Sequence, residues 1–166
     1  MPSESIYQTI IGFLESQGIP YRAVHHEPTR TSEESARARG EDVRVGGKAL
    51  VVKTGDDFRL FVLSAALKLD GDAVKRRFAV KKIRFATPEE LMRSTGLVPG
   101  SVPPFGHPIL PFDLCVDESI LANDRIAFNA GSLTDSLVLA TSDYMKVSGG
   151  TVFRFSERPS MMTGSQ

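Results

Sequence analysis

The 166-residue chain has no tryptophan, one cysteine and three histidines, and its 20 lysines and arginines are matched by 20 aspartates and glutamates. Each scarcity excludes something. A lone cysteine, Cys115, cannot close an internal disulfide, which suits a reducing compartment and gives the expectation of a cytoplasmic protein. With so few histidines beside it, a Cys/His zinc site is not expected, and nothing calls for a metal or another cofactor. No apolar run approaches the roughly 20 residues of a membrane span. Met1 to Gly12 lacks a basic stretch followed by an apolar core, so neither a membrane partner nor a secretory signal is expected. Zero net charge gives the molecule as a whole no attraction for nucleic acid. A Walker-type loop, a dinucleotide-binding glycine pattern and a nucleophile elbow are all missing.

What is present is the composition of an ordinary globular domain, 41% hydrophobic and 24% charged, with length for one core. Ile6, Ile10, Phe13 and Leu14 recur at helical spacing, with Ser5 and Gln8 placed for a capping box and Gly18 as the stop. Tyr21 to His25 reads as a strand, and Glu33 to Arg39 as a helix with Thr31 and Glu34 at its head. Ala49 to Thr54 and Phe58 to Ser64 form a hairpin around Gly55-Asp56-Asp57. Helices are expected over Asp72 to Phe78 and from Thr87 to Gly96, and one short helix after Thr141. Further strands are expected at Leu114 to Val116, Arg125 to Asn129, Ser136 to Ala140 and Thr151 to Phe155. Leu97 to Phe112 carries Pro99, Pro103, Pro104, Pro108 and Pro111 with Gly100 and Gly106, a density that forbids regular structure. Long ordered loops of this kind are often functional. The sum is a single α/β domain with a mixed sheet, followed from Glu157 by a polar, frayed tail.

Few residues stand out chemically. His25 and His26 are neighbours on a strand and face opposite ways, so they do not share a metal. Cys115, within Leu114-Cys115-Val116, reads as a small core residue. Lys48 follows Gly46-Gly47 and precedes an apolar strand, where its ammonium either rims a pocket or simply flanks the strand; Lys53 has the same two readings. Lys75, Arg76, Arg77, Lys81 and Lys82 lie close together and suit either phosphate contacts or a solvated helix end.

Three segments carry a resemblance. Gly47-Lys48-Ala49-Leu50-Val51, Gly100-Ser101-Val102-Pro103-Pro104-Phe105-Gly106 and Ile126-Ala127-Phe128-Asn129-Ala130-Gly131 resemble, in order, signature stretches of the YbaK/prolyl-tRNA-synthetase-associated editing family. Phe61 to Ala65 and Ser142-Asp143-Tyr144 agree more weakly, and the likeness covers about Ile6 to Phe155. The Val-Pro-Pro-Phe loop and Phe-Asn-Ala-Gly turn are similar to YeaK-like members. The resemblance implies a mixed α/β (α+β) domain over residues 1–157 with a curved, barrel-like sheet and flanking helices, leaving 158–166 as tail. It also implies an activity: hydrolysis, in trans, of the ester of a tRNA mischarged with a small amino acid such as serine, alanine or threonine.

An aminoacyl ester is already activated, so its hydrolysis needs a positioned water and donors for a developing oxyanion, not a protein nucleophile. On the family pattern Lys48 is the essential lysine, and Gly100, Ser101 and Val102 are expected to supply backbone N–H groups. Pro103 and Pro104 have none to give, so any other donors come from Phe105 or Gly106. Pro103, Pro104, Phe105 and His107 are expected along the substrate, with Asn129, Ala130, Gly131 and Ser132 as orienting group and pocket wall; Asn-Ala-Gly-Ser is equally good turn material. The Phe-Asn-Ala-Gly turn departs from members with histidine near this place, so their preferences do not transfer. Lys75, Arg76 and Arg77 are the expected tRNA contacts, a synthetase is a candidate second partner, and DNA is not expected. Two rivals remain: a non-catalytic module binding aminoacyl-tRNA or a synthetase, and a hydrolase of another small ester.

Overall fold

The computed structural model describes residues 5–29 and 31–159. Ser5 opens helix α1 (Ile6–Ser16): its hydroxyl accepts from the Gln8 N–H while the Gln8 side chain accepts from the Ser5 N–H, the expected capping box. Ile10 and Leu14, one turn apart, are fully buried. Strand β1 (Arg22–His25) leads to α2 (Ser32–Arg39), capped by Thr31 and ended by Gly40. A single 3-10 turn (Val43–Val45) then feeds the central hairpin, β2 (Gly47–Thr54) and β3 (Asp57–Ser64), whose two-residue connection has Gly55 at φ +68°. Asp57, expected as part of the hairpin's turn, is already paired with Thr54.

The remaining elements follow in short pieces: β4 (Lys68–Leu69), α3 (Gly71–Phe78), β5 (Ile83–Phe85) and α4 (Pro88–Thr95), the last with a full Thr87–Glu90 capping box and Pro88 in its first turn. After a loop come β6 (Asp113–Asp117), α5 (Glu118–Leu121), β7 (Arg125–Asn129), β8 (Asp135–Ala140), α6 (Thr141–Ser148), β9 (Thr151–Phe153) and β10 (Ser156–Glu157).

The strands form three ladders, ordered β5-β2-β3-β6-β9, β1-β8-β7 and β10-β4. In the first, β2 is antiparallel to β3 and β5, whereas β3, β6 and β9 run parallel. The chain is therefore a single mixed α/β unit, as expected, but the barrel-like sheet is open. Among the described residues one isolated bridge, between Gly46 and Ala127, links the backbones of the first two ladders. Alternation along β3 divides the core: Leu60 and Val62 face α1, β7 and β8, while Phe61 and Leu63 face α3 and Phe155. Cys115 lies in the second cluster, where burial pushes its thiol up to about 11.

Five short elements (the Val43–Val45 turn, β4, β5, α5 and β10) were not expected from the sequence. The tail departs from expectation for a pairing reason: Ser156 and Glu157 pair with Leu69 and Lys68, so order runs through the point where fraying was expected. Of residues 158–166, those from 160 onward lie outside the described residues. Among the described residues no helix is long and apolar enough to cross a membrane.

Candidate active site

A cavity of about 220 Å³ opens where the two larger ladders meet. One wall is made by Thr29, Thr31, Ser32, Ser35 and Arg39, the floor is the start of β2, and the far side is Gly100, Val102 and Asn129. The glycines before Lys48 make this meeting possible. A Cβ on Gly47 would stand 2.6 Å from Ile126 Cδ1, and one on Gly46 would stand 3.0 Å from Ala65 Cβ. Without side chains there, β2 enters against β7 and carries Lys48 to the cavity.

Lys48 is half-buried, and burial lowers its pKa against the opposing pull of Glu33. Gly100, at φ +89°, turns its carbonyl to Asn129, whose Nδ2 donates to it at 2.8 Å. The N–H groups of Gly100 and Val102 carry no hydrogen bond among the described residues, and both residues line the cavity. Lys48, Gly100, Val102 and Asn129 are thus brought together.

The other expected site residues are not. Ser101 is 2% exposed; its N–H and hydroxyl both donate to the Val98 carbonyl, at 3.1 and 2.8 Å. Its donors therefore close the loop and are not presented to the cavity. Pro103 and Pro104 are buried, and the Pro104 carbonyl accepts from Tyr144 Oη at 2.7 Å. Phe105, 2% exposed, is the hub of an aromatic cluster with Phe13, Phe128 and Tyr144 at centroid distances of 6.2, 5.6 and 5.6 Å. A large apolar ring on a proline-braced loop goes inward, which is why it does not line the cavity. His107 lies outside with a 63% exposed side chain, 3.8 Å from Asp113. Ala130 is fully buried, Gly131 passes so close to α1 that a Cβ would lie 2.7 Å from Ile6 Cγ2, and Ser132 bonds Asp135 at 3.0 Å. In that turn only Asn129, still on the strand, points its side chain to the cavity.

The Thr29–Arg39 wall has no counterpart among the residues expected from the sequence. Its Thr29 and Ser35 hydroxyls are buried and 2.7 Å apart. Arg39 is 8% exposed; its Nε–H donates to Ser136 Oγ at 2.9 Å and its Nη2–H to Asn129 Oδ1 at 3.0 Å. Burial pulls its pKa down to about 10, opposed by Glu41. Ser136 Oγ also lies 2.8 Å from His26 Nε2, whose Nδ1–H donates to the Glu27 carbonyl at 2.8 Å. His25 instead pairs with Asp135 at the surface, so the two histidines do diverge.

The basic cluster is divided. The Arg77 guanidinium lies 4.9 Å from the Phe153 ring, and Arg76 sits beside Asp70. Lys75 joins Lys53, Lys81, Lys82 and Arg84 around a groove of about 400 Å³ beside Gly55. Arg84 is clamped by Glu90 at 2.8 and 2.9 Å, while the four lysines have no ion pair among the described residues.

The aminoacyl-tRNA editing domain family matches residues 26–147. The multifunctional Ser/Thr-tRNA deacylase ProXp-y of Escherichia coli (strain K12) is 32% identical over 155 residues, which are 90% of this chain and 92% of that protein. A proline–tRNA ligase of Shouchella clausii is 32% identical over 119 residues, 72% of this chain but 19% of the ligase. Among solved structures, one described as a trans-editing enzyme for prolyl tRNA synthetase superposes with a TM-score of 0.81 at 28% identity, covering 94% of this chain and 99% of that one. Taken with the ordered Lys48, Gly100 and Asn129 segments converging on one cavity, these matches show that the chain belongs to the aminoacyl-tRNA editing domain family.

Proposed function

We propose that this chain is an aminoacyl-tRNA deacylase that acts in trans on tRNA mischarged with a small, hydroxyl-bearing amino acid. It acts on mischarged aminoacyl-tRNA and hydrolyses the ester to free amino acid and tRNA. One observation carries the residue assignment: a half-buried lysine, two backbone N–H groups unbonded among the described residues and an oriented amide share one cavity of about 220 Å³. Lys48 binds the phosphate or ribose end of the terminal adenosine, or negative charge near the ester. Val102 and Gly100 offer N–H groups to the developing oxyanion, and Asn129 orients the amino acid or the water. The buried Thr29–Ser35 hydroxyl pair favours serine and threonine by offering a polar partner that an alanyl group cannot use. The name of the E. coli relative points the same way.

The editing domain is proposed to occupy residues 1–157, and the protein to work in the cytoplasm. A synthetase that presents the tRNA is part of the proposal, since the matching segment of the S. clausii relative lies inside a proline–tRNA ligase. The test is deacylation of alanyl-, seryl-, threonyl-, cysteinyl- and prolyl-tRNA by wild type and Lys48→Ala. Seryl- or threonyl-tRNA is expected to be cleared fastest, and the substitution to slow it about a hundredfold or more. Panel members all decaying at the spontaneous rate would instead favour the non-catalytic binder.

The lysine groove is proposed as the seat of the tRNA backbone, with Lys75 contributed by α3; Arg76 and Arg77, on the same helix, do not line it. Charge removal at Lys75 and Lys81 together is expected to raise KM. It should also reduce the slope of log affinity against log salt by about 0.7–0.9 for each phosphate no longer neutralised. An unchanged slope in Lys75→Ala/Lys81→Ala would place the nucleic acid elsewhere.

A further inference from the structure

Arg39 sits at the inner end of α2 with 8% of its surface exposed, yet no carboxylate among the described residues forms an ion pair with it. The acid that acts on its charge, Glu41, is bonded instead to Arg22 and Arg125, both at 2.8 Å. Burying a cation without its own counter-charge is costly, and such groups persist where that charge has work elsewhere. Two arms of the guanidinium are held, by Ser136 and by Asn129. The third nitrogen, Nη1, bonds nothing among the described residues and is not one of the sealed, unpartnered polar atoms. Arg39 lines the cavity, and this nitrogen lies 3.5 Å from where a Cβ on Gly46, another lining residue, would stand.

A cation whose orientation is fixed beforehand, and whose charge is not already neutralised, is preorganised for negative charge that appears only during reaction. We propose that Arg39 Nη1 donates to the carbonyl oxygen of the bound aminoacyl ester as that oxygen becomes an oxyanion. This assignment rests on the deacylase reading of the cavity. It leaves Lys48, half-buried near the start of β2, to the terminal phosphate or ribose. Water oxygen bonds to the carbonyl carbon and the π pair moves onto the carbonyl oxygen, held by Arg39 and the Val102 N–H. Collapse of the tetrahedral intermediate breaks the bond to the ribose oxygen. Of the two protons of water, one ends on the ribose hydroxyl and the other on the new carboxyl group, from which it dissociates. Through Nη2 the same guanidinium fixes Asn129, and through Asn129 the Gly100 carbonyl, so one side chain both binds charge and sets the loop that shares it.

The test compares wild type, Arg39→Lys and Arg39→Ala in steady-state deacylation of seryl-tRNA. It also measures binding of two 3′-adenosine analogues of the seryl ester, a tetrahedral phosphonate and a planar amide. Lysine keeps the charge but not the fork that grips Ser136 and Asn129, so the loss should persist in Arg39→Lys even where Arg39→Ala fails to fold. Expected is a fall of about a hundredfold in kcat with KM within about threefold of wild type. Wild type should prefer the phosphonate by about tenfold or more, and both variants should lose that preference while still binding the amide. A loss wholly in KM, or a phosphonate preference that survives in Arg39→Lys, overturns the assignment. Wild type that leaves every aminoacyl-tRNA intact overturns the deacylase reading instead, and the analogue preference still decides the role of Arg39.

Discussion

Phe105→Ala is expected to lower stability by about 3–5 kcal/mol, and at about 2–4 °C per kcal/mol for a chain of this size the melting midpoint should drop by roughly 6–20 °C. Three edge-on ring contacts disappear at once, to Phe13 on α1, Phe128 on β7 and Tyr144 on α6. These rings belong to three separate elements, so the cavity left behind has rigid walls and collapses poorly. Its neighbour Pro104 is tied to Tyr144 by the 2.7 Å hydrogen bond, which limits how far the loop can sink to fill the space. Thermal melting followed by circular dichroism reads the effect directly. A variant that melts like wild type but binds aminoacyl-tRNA less tightly would return Phe105 to the substrate and contradict its place in the core.

Asp117→Ala should cost a similar amount for a different reason. Asp117 is fully buried, and its two oxygens accept from the Phe155 N–H at 2.6 Å and the Ser119 N–H at 2.9 Å. Removing the carboxylate orphans both donors, at about 1–3 kcal/mol each, and unfastens Phe155 from Phe61, its partner at a 5.2 Å centroid distance. The Asp117→Asn substitution keeps the shape of the side chain but leaves one oxygen for the two donors, so its stability is expected to fall between wild type and Asp117→Ala. Urea unfolding separates the three. Equal midpoints for wild type and Asp117→Asn would mean that the acceptor pair is not what holds the C-terminal strands.

What the sequence made legible was local. The capping boxes at Ser5 and Thr87, the glycine stops and the β2–β3 hairpin all depend on residues within a few positions of each other, and they appear where expected. Strand β5 escaped because Lys81-Lys82-Ile83-Arg84-Phe85 is charged and short, with Phe85 58% exposed; pairing with β2, not propensity, makes it a strand. Helix α5 is a single turn whose cap, Asp117, reads in sequence as a loop residue. The site followed the same rule. Lys48 and Gly100 were found through their motifs, whereas Arg39 belongs to no motif and entered only as the last residue of an expected helix. Its bonding partners, Asn129 and Ser136, lie 90 and 97 positions away. Nothing in the sequence marks the Thr29 and Ser35 hydroxyls, on and beside a charged helix, and only tertiary packing buries them.

Strand β2 serves as a ruler. Lys48 stands near its start and Lys53 near its end, ~17 Å apart along an extended backbone. Pairing to β3 along its length and to β5 at its far end prevents β2 from slipping, because a one-residue shift would invert every side chain. The two lysines stand an odd number of residues apart, so they leave opposite faces of β2, one toward the cavity and the other toward the lysine groove. On the proposed reading, the number of residues in one strand sets how far apart the two RNA contacts are held, while discrimination among amino acids is left to the walls of the cavity.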